Sequence, residues 1–125
     1  MVRRALGGYG VKPRKAPKEV TPRNLAAEQR LGEAINRRVL VELRYDDDMA
    51  FRLIAPYVVF QTEAGSVCLS CFQINNPGEP MDANEPRNFT VGKVSAVRLT
   101  DTRFAIDPRF NRHDPKYRHG VLYSV

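Results

Sequence analysis

Apolar positions change their spacing twice along this chain, and each change marks an element. Up to about Val20 there is no apolar period, because Gly7, Gly8, Gly10, Pro13 and Pro17 are interspersed with cations; this stretch is expected to be disordered when free. Thr21 followed by Pro22 makes a good helix start, with a hydroxyl for a free backbone N–H and a proline where no donor is needed, and Asn24 offers a second start. Ala27, Leu31, Ala34 and Ile35 then fall at i, i+4, i+7 and i+8. That spacing predicts one helix over about residues 24–37, with Glu28, Arg30, Glu33 and Arg37 facing water.

From Val39 the period falls to two. Val39, Val41, Leu43 and Tyr45 share one face while Glu42 and Arg44 take the other, which predicts a half-buried strand. Asp46, Asp47 and Asp48 supply a turn, and Phe51, Leu53 and Ala55 resume the alternation with Arg52 and Ile54 opposite, as far as Pro56. Further strands are expected at 57–61 and 67–74, joined by a hairpin turn at Glu63, Ala64, Gly65 and Ser66, and then at 89–91 and 94–99. Residues 75–86 carry Pro77, Gly78, Pro80 and Pro86 among acids and read as a long polar loop. The fold class is therefore mainly β: about five antiparallel strands behind one helix, which suits a small barrel. After Phe104, prolines, rings and cations alternate without a regular element, so 106–125 is expected to be a flexible tail.

The chain has 125 residues, 42% of them hydrophobic, enough for one core. It divides into a basic arm at 1–20, a helix-plus-strand domain at 21–105 and a basic, aromatic tail at 106–125. The net charge of +6 follows that division, with +5 in the arm, −1 in the body and +2 in the tail. The arm's excess comes from Arg3, Arg4, Lys12, Arg14, Lys15 and Lys18. A nearly neutral body with cationic ends is the layout of a domain whose arms touch nucleic-acid phosphate, since Lys and Arg gain affinity by releasing counterions. The plainer reading is a solvated tail that keeps the protein soluble. No apolar run approaches the roughly 18 residues needed to cross a bilayer, and the first residues lack the apolar stretch of a secretion signal. A cytoplasmic protein without membrane contact is expected.

Catalytic and metal-binding arrangements find little support. Cys68 and Cys71 have redox or zinc spacing, and His113 and His119 invite a mixed site, but on a strand two positions three apart point to opposite faces. Ordinary reduced cysteines are the simpler reading. The Asp46–Asp47–Asp48 run lacks the spacing and glycine of a calcium loop. No glycine-rich phosphate loop joins a strand to a helix, and no Ser, His and Asp fall in a nucleophilic arrangement. The expectation is a non-enzymatic protein without cofactor or metal.

Several stretches, in their order and spacing, do suggest a family. Residues Ala34, Ile35, Asn36, Arg37 and Arg38, the run Val41-Glu42-Leu43-Arg44-Tyr45, the Arg52-x-x-x-Pro56 step and the Phe89-x-x-x-Lys93-Val94 step together resemble the WYL domain. This is a bacterial ligand-sensing and transcription-regulating module built on an SH3-like or Sm-like barrel. The resemblance covers about residues 31–104. Where the family has Trp-Tyr-Leu, this chain has Val67-Cys68-Leu69, so any aromatic grip falls to Tyr45, Tyr57 and Phe89. The resemblance implies that Arg52 lies in the ligand pocket, where Arg44, Arg87 and Lys93 would join it with Tyr45 to bind a phosphate or a short strand of nucleic acid. Phe89 reads better as a core anchor, with ligand stacking the lesser option, and Tyr45 and Tyr57 are open to both readings. Family members usually carry a helix-turn-helix ahead of the barrel; one helix cannot make such a reader, so either the basic arms supply general nucleic-acid contact or a protein partner reads DNA while this domain senses. The alternative is a structural or adaptor subunit whose tails dock on a larger assembly.

Overall fold

The computed structural model describes residues 20–78 and 84–125. Its first element is α1, Leu25–Arg37, capped by Asn24, whose Oδ1 accepts from the Ala27 N–H at 3.1 Å. The same side chain donates through Nδ2 to the Val94 carbonyl at 3.2 Å, so one asparagine starts the helix and ties it to the sheet. The helix ends at Arg38, left-handed at φ 55, whose N–H returns to the Ala34 and Ile35 carbonyls. Ala27, Leu31, Ala34 and Ile35 are buried, as the spacing predicts. Glu28 is not solvated as expected: it is buried, and Arg23 covers it with bonds at 2.6 and 3.0 Å. A carboxylate at this position is tolerable because the guanidinium takes both oxygens.

Six antiparallel strands follow: β1 Val39–Tyr45, β2 Arg52–Gln61, β3 Val67–Asn75, β4 Glu85–Thr90, β5 Val94–Arg103 and β6 Val121–Ser124. The mainly β class holds. The order is β4-β3-β2-β1-β5, with β6 added against β2. Strand β2 runs straight through Pro56, where a strand end was expected. Along β2, residues 52–54 pair with β1 and residues 58–60 pair with β6, so the proline, which has no N–H to give, sits where one neighbour leaves and the other arrives. A register shift between Pro56 and Val58 marks the same place on the β3 side.

Among the described residues the sheet is open, not the closed SH3-like or Sm-like barrel of about five strands expected from sequence. Its end strands β4 and β5 are joined by a 3-10 turn at Val91–Lys93. The sheet is nonetheless curved enough for Tyr45, at the end of β1, to reach the end of β4: its ring lies 4.8 Å from that of Phe89 and its hydroxyl accepts from the Thr90 N–H at 3.3 Å.

Apolar side chains form a cluster on each face rather than one core. Ile54, Val59, Val67, Leu69 and Cys71 face α1, while Ala55, Tyr57, Phe60 and Phe72 face away from it. The second cluster is closed by the segment read from sequence as a flexible tail, which is a correction to that expectation. Phe104, Ile106 and Phe110 pack on it, and Tyr117, 7% exposed, sets its ring edge-on to Phe60 and donates its hydroxyl to Ser70 Oγ at 2.9 Å. Strand β6 then completes the sheet. The segment escaped notice because it runs through turns and buries single rings far apart, which leaves no period to read. Arg3, Arg4, Lys12, Arg14, Lys15 and Lys18 lie outside the described residues.

Candidate functional site

Beyond the apolar core, on the α1 side of the sheet, lies a polar cluster built around Arg52. Arg52 alternates with Ile54 on β2, so the pleat points it to the inner face, not to the non-core face expected for it. Its Nε donates to Asp48 Oδ2 at 2.7 Å, its Nη2 to Asp48 Oδ1 at 2.9 Å and its Nη1 to Gln73 Oε1 at 3.1 Å. The guanidinium carbon stands 5.1 Å from the Phe89 ring centre and 5.9 Å from that of Tyr45. Gln73 is fully buried on β3 opposite Ile54, and Arg87 faces Cys71 from β4 on the same side, with Glu85 opposite Gln73.

The turn after β1 holds Asp48 in place from three directions. Asp46 turns the chain at φ 56, a left-handed conformation that aspartate accepts. The Asp48 N–H donates to the Tyr45 carbonyl at 3.0 Å, and Asp48 Oδ2 accepts from the Tyr45 N–H at 3.0 Å. Arg44 grips the Asp48 carbonyl from outside with bonds at 3.3 and 2.9 Å. The carboxylate thus meets Arg52 already oriented, and little ordering entropy remains to oppose the pair.

With side chains 16% and 19% exposed, Arg52 and Asp48 are screened much less than a surface pair. The Arg52 hydrogen bonds hold the Asp48 carboxyl below the usual carboxylate range against the opposing effect of burial, helped by the Tyr45 N–H and by Arg44. A carboxyl whose pKa is lower in the folded state stabilises the fold fully above its unfolded pKa, near ~3.9, and ceases to do so as pH falls through the folded value. Urea midpoints of the wild type should therefore drop on acidification below about pH 4, and Asp48→Asn should show a shallower acid limb. At neutral pH the same variant should lose about 1–3 kcal/mol. Parallel acid limbs in the two proteins would remove Asp48 from the account.

Of the seven pocket residues expected from sequence, Tyr45, Arg52, Phe89 and Arg87 share the inner face, and three do not join them. Arg44 points from the other face of β1, its guanidinium 5.6 Å from the Phe51 ring, because alternation separates it from Leu43 and Tyr45. Tyr57, 2% exposed, lies within the second cluster, its hydroxyl accepting from the Asp107 N–H at 2.7 Å and its ring 5.0 Å from Phe72 and from Phe110. Burial pushes its phenol pKa up. Lys93 is exposed in the turn between β4 and β5, and its carbonyl accepts from the Asp46 N–H. Asp48 and Gln73 were missed as site residues. The signals were a carboxylate four positions before Arg52 across a turn and one amide inside the apolar run of β3.

Cys68 and Cys71 are free thiols on opposite faces of β3, paired with Thr90 and Arg87 respectively. Burial raises the pKa of Cys71, and Cys68 sits with the second cluster. No described helix is long and apolar enough to cross a membrane. No protein-family model matches the chain, and no curated protein matches it either.

Proposed function

We propose that this chain is a non-enzymatic, WYL-like ligand-sensing module that receives a nucleotide-type anion, or the phosphate end of a nucleic acid, at Arg52. The observation that carries the reading is the carboxylate already held by both arms of a fixed guanidinium. That fork accepts carboxylate and phosphate by the same two parallel hydrogen bonds, so Asp48 marks where the outside anion would sit and competes with it. Gln73 keeps the fork in plane, and Phe89 and Tyr45 support it from the ring side. Arg87 brings a second positive charge on the same face.

One helix ahead of consecutive antiparallel strands, curved until Tyr45 meets Phe89, supports the WYL-like reading at the level of element order, while among the described residues the sheet stays open. The described residues contain one α-helix, so sequence-specific reading of DNA would come from a partner protein, in the cytoplasm. The competing adaptor reading needs both tails to thread across an assembly. The C-terminal one is part of the fold, and only the arm is left to that reading.

The test is fluorescence anisotropy with a short single strand carrying a 5′-phosphate and its unphosphorylated twin. Asp48→Asn frees the fork and should tighten the phosphorylated strand about tenfold, or about 1.4 kcal/mol, while Arg52→Lys keeps the charge, loses the fork and should weaken it by a similar factor. Equal affinity in all three proteins, or no preference for the phosphate, would overturn the reading.

A further inference from the structure

We propose that the hook between β5 and β6 is a second, rigid binding surface for the phosphate backbone of duplex nucleic acid. It goes beyond the Arg52 site and does not depend on it. Within residues 112–119, Arg112, His113, Lys116, Arg118 and His119 are all exposed. The acids nearby are engaged: Asp107 is paired with Arg109 at 2.9 Å, and half-buried Asp114 caps the short 3-10 turn by accepting from the Lys116 N–H at 2.9 Å.

These cations are displayed from a fixed base. The buried ring of Tyr117 anchors the middle of the hook against Phe60 and Ser70, and Phe110 anchors its start against Tyr57. Asn111 Oδ1 accepts from the His113 N–H at 3.0 Å, and Arg118 Nη1 donates to the Pro115 carbonyl at 2.9 Å. At the far end the Gly120 carbonyl accepts from the Gln61 N–H at 2.8 Å. Binding therefore orders little backbone, which spares affinity the usual entropic loss.

The choice of duplex over single strand rests on where the rings point. Proteins that hold unpaired strands present exposed aromatic faces on which bases stack. Here Tyr117 is buried and Phe110 is packed inward, so the hook offers charge and imidazole N–H groups but no stacking platform. Such a surface fits the dense, regular phosphates of a duplex and reads no sequence.

The full-length chain is compared with the triple variant Arg112→Gln, Lys116→Gln, Arg118→Gln, which leaves Tyr117 and Phe110 intact; a retained thermal midpoint shows that the fold survives. Against mixed-sequence duplex DNA, the slope of log affinity on log salt should become shallower by about 2.7, the effect of three phosphate contacts, with the same loss on every sequence. The Arg52 reading is scored on the 5′-phosphate preference of a short single strand and this one on the duplex slope of the triple variant, so the two fail separately. An unchanged slope in the triple variant would overturn the proposal. So would a larger change of slope in the triple variant on an unphosphorylated single strand than on the duplex, or an equal loss toward a polyglutamate peptide, which would point to an acidic protein.

Discussion

Deleting residues 105–125 is expected to abolish cooperative unfolding. The deletion strips Ile106, Phe110 and Tyr117 from the second cluster and Tyr123 from the first, and leaves residues 58–60 of β2 with a bare edge. Four large side chains at about 1.5–3 kcal/mol each for full burial come to at most about 6–12 kcal/mol, an upper figure because Ile106, Phe110 and Tyr123 are half-buried and the unfolded chain already buries part of that surface. The whole stability of a domain this size is about 5–15 kcal/mol, so little or nothing is left. Near-ultraviolet circular dichroism and a urea titration read the outcome. A truncated chain that still melts in one sharp transition close to the wild-type midpoint would show that the segment is an ornament after all. The milder Tyr117→Phe removes only the bond to Ser70 and should cost about 1 kcal/mol.

The second large effect concerns Gly32. A Cβ at this position would land on the Tyr123 ring, at Cε1 and Cζ, well inside contact distance. Gly32→Ala should therefore cost about 1–3 kcal/mol by overpacking, although alanine is about 1 kcal/mol the better helix former. With Tyr123→Ala the obstruction is gone, and the same substitution should become stabilising by up to about 1 kcal/mol. A double-mutant cycle in urea should thus give a coupling of about 1–4 kcal/mol between a residue of α1 and one of β6. If Gly32→Ala costs the same in both backgrounds, the ring does not rest on the helix.

Local rules made the front half of the fold legible and fell short where a distant partner decides. The helix was readable nearly to its ends, because Ala27, Leu31, Ala34 and Ile35 keep one period and Asn24 is a natural cap. Strand β1 was equally plain. Pro56 suggested a break because the rule against proline in a strand considers only one neighbour; here β1 and β6 share that edge and leave a gap at the proline. The start of β4 was hidden because it is an end strand with polar residues, Glu85, Arg87 and Asn88, along most of its length. In the polar cluster, Tyr45, Arg52, Arg87 and Phe89 share one face as expected of them, while the carboxylate four positions before Arg52 was one of three consecutive aspartates, and local spacing does not say which of them turns inward. Tyr57 was misplaced for the reason that hid the hook: its hydroxyl is satisfied by Asp107, in a stretch without pattern.

The shared edge of β2 has a consequence for biosynthesis. Residues 58–60 pair with a strand made about 60 residues later, which at ribosomal rates of about 5–20 residues per second means several seconds of waiting. During that interval Val58, Val59 and Phe60 offer unpaired amides beside uncovered rings, the combination from which intermolecular association starts. Yield in cells should accordingly respond to translation speed through codons 100–125 and to chaperone supply more than the stability of the finished protein would suggest.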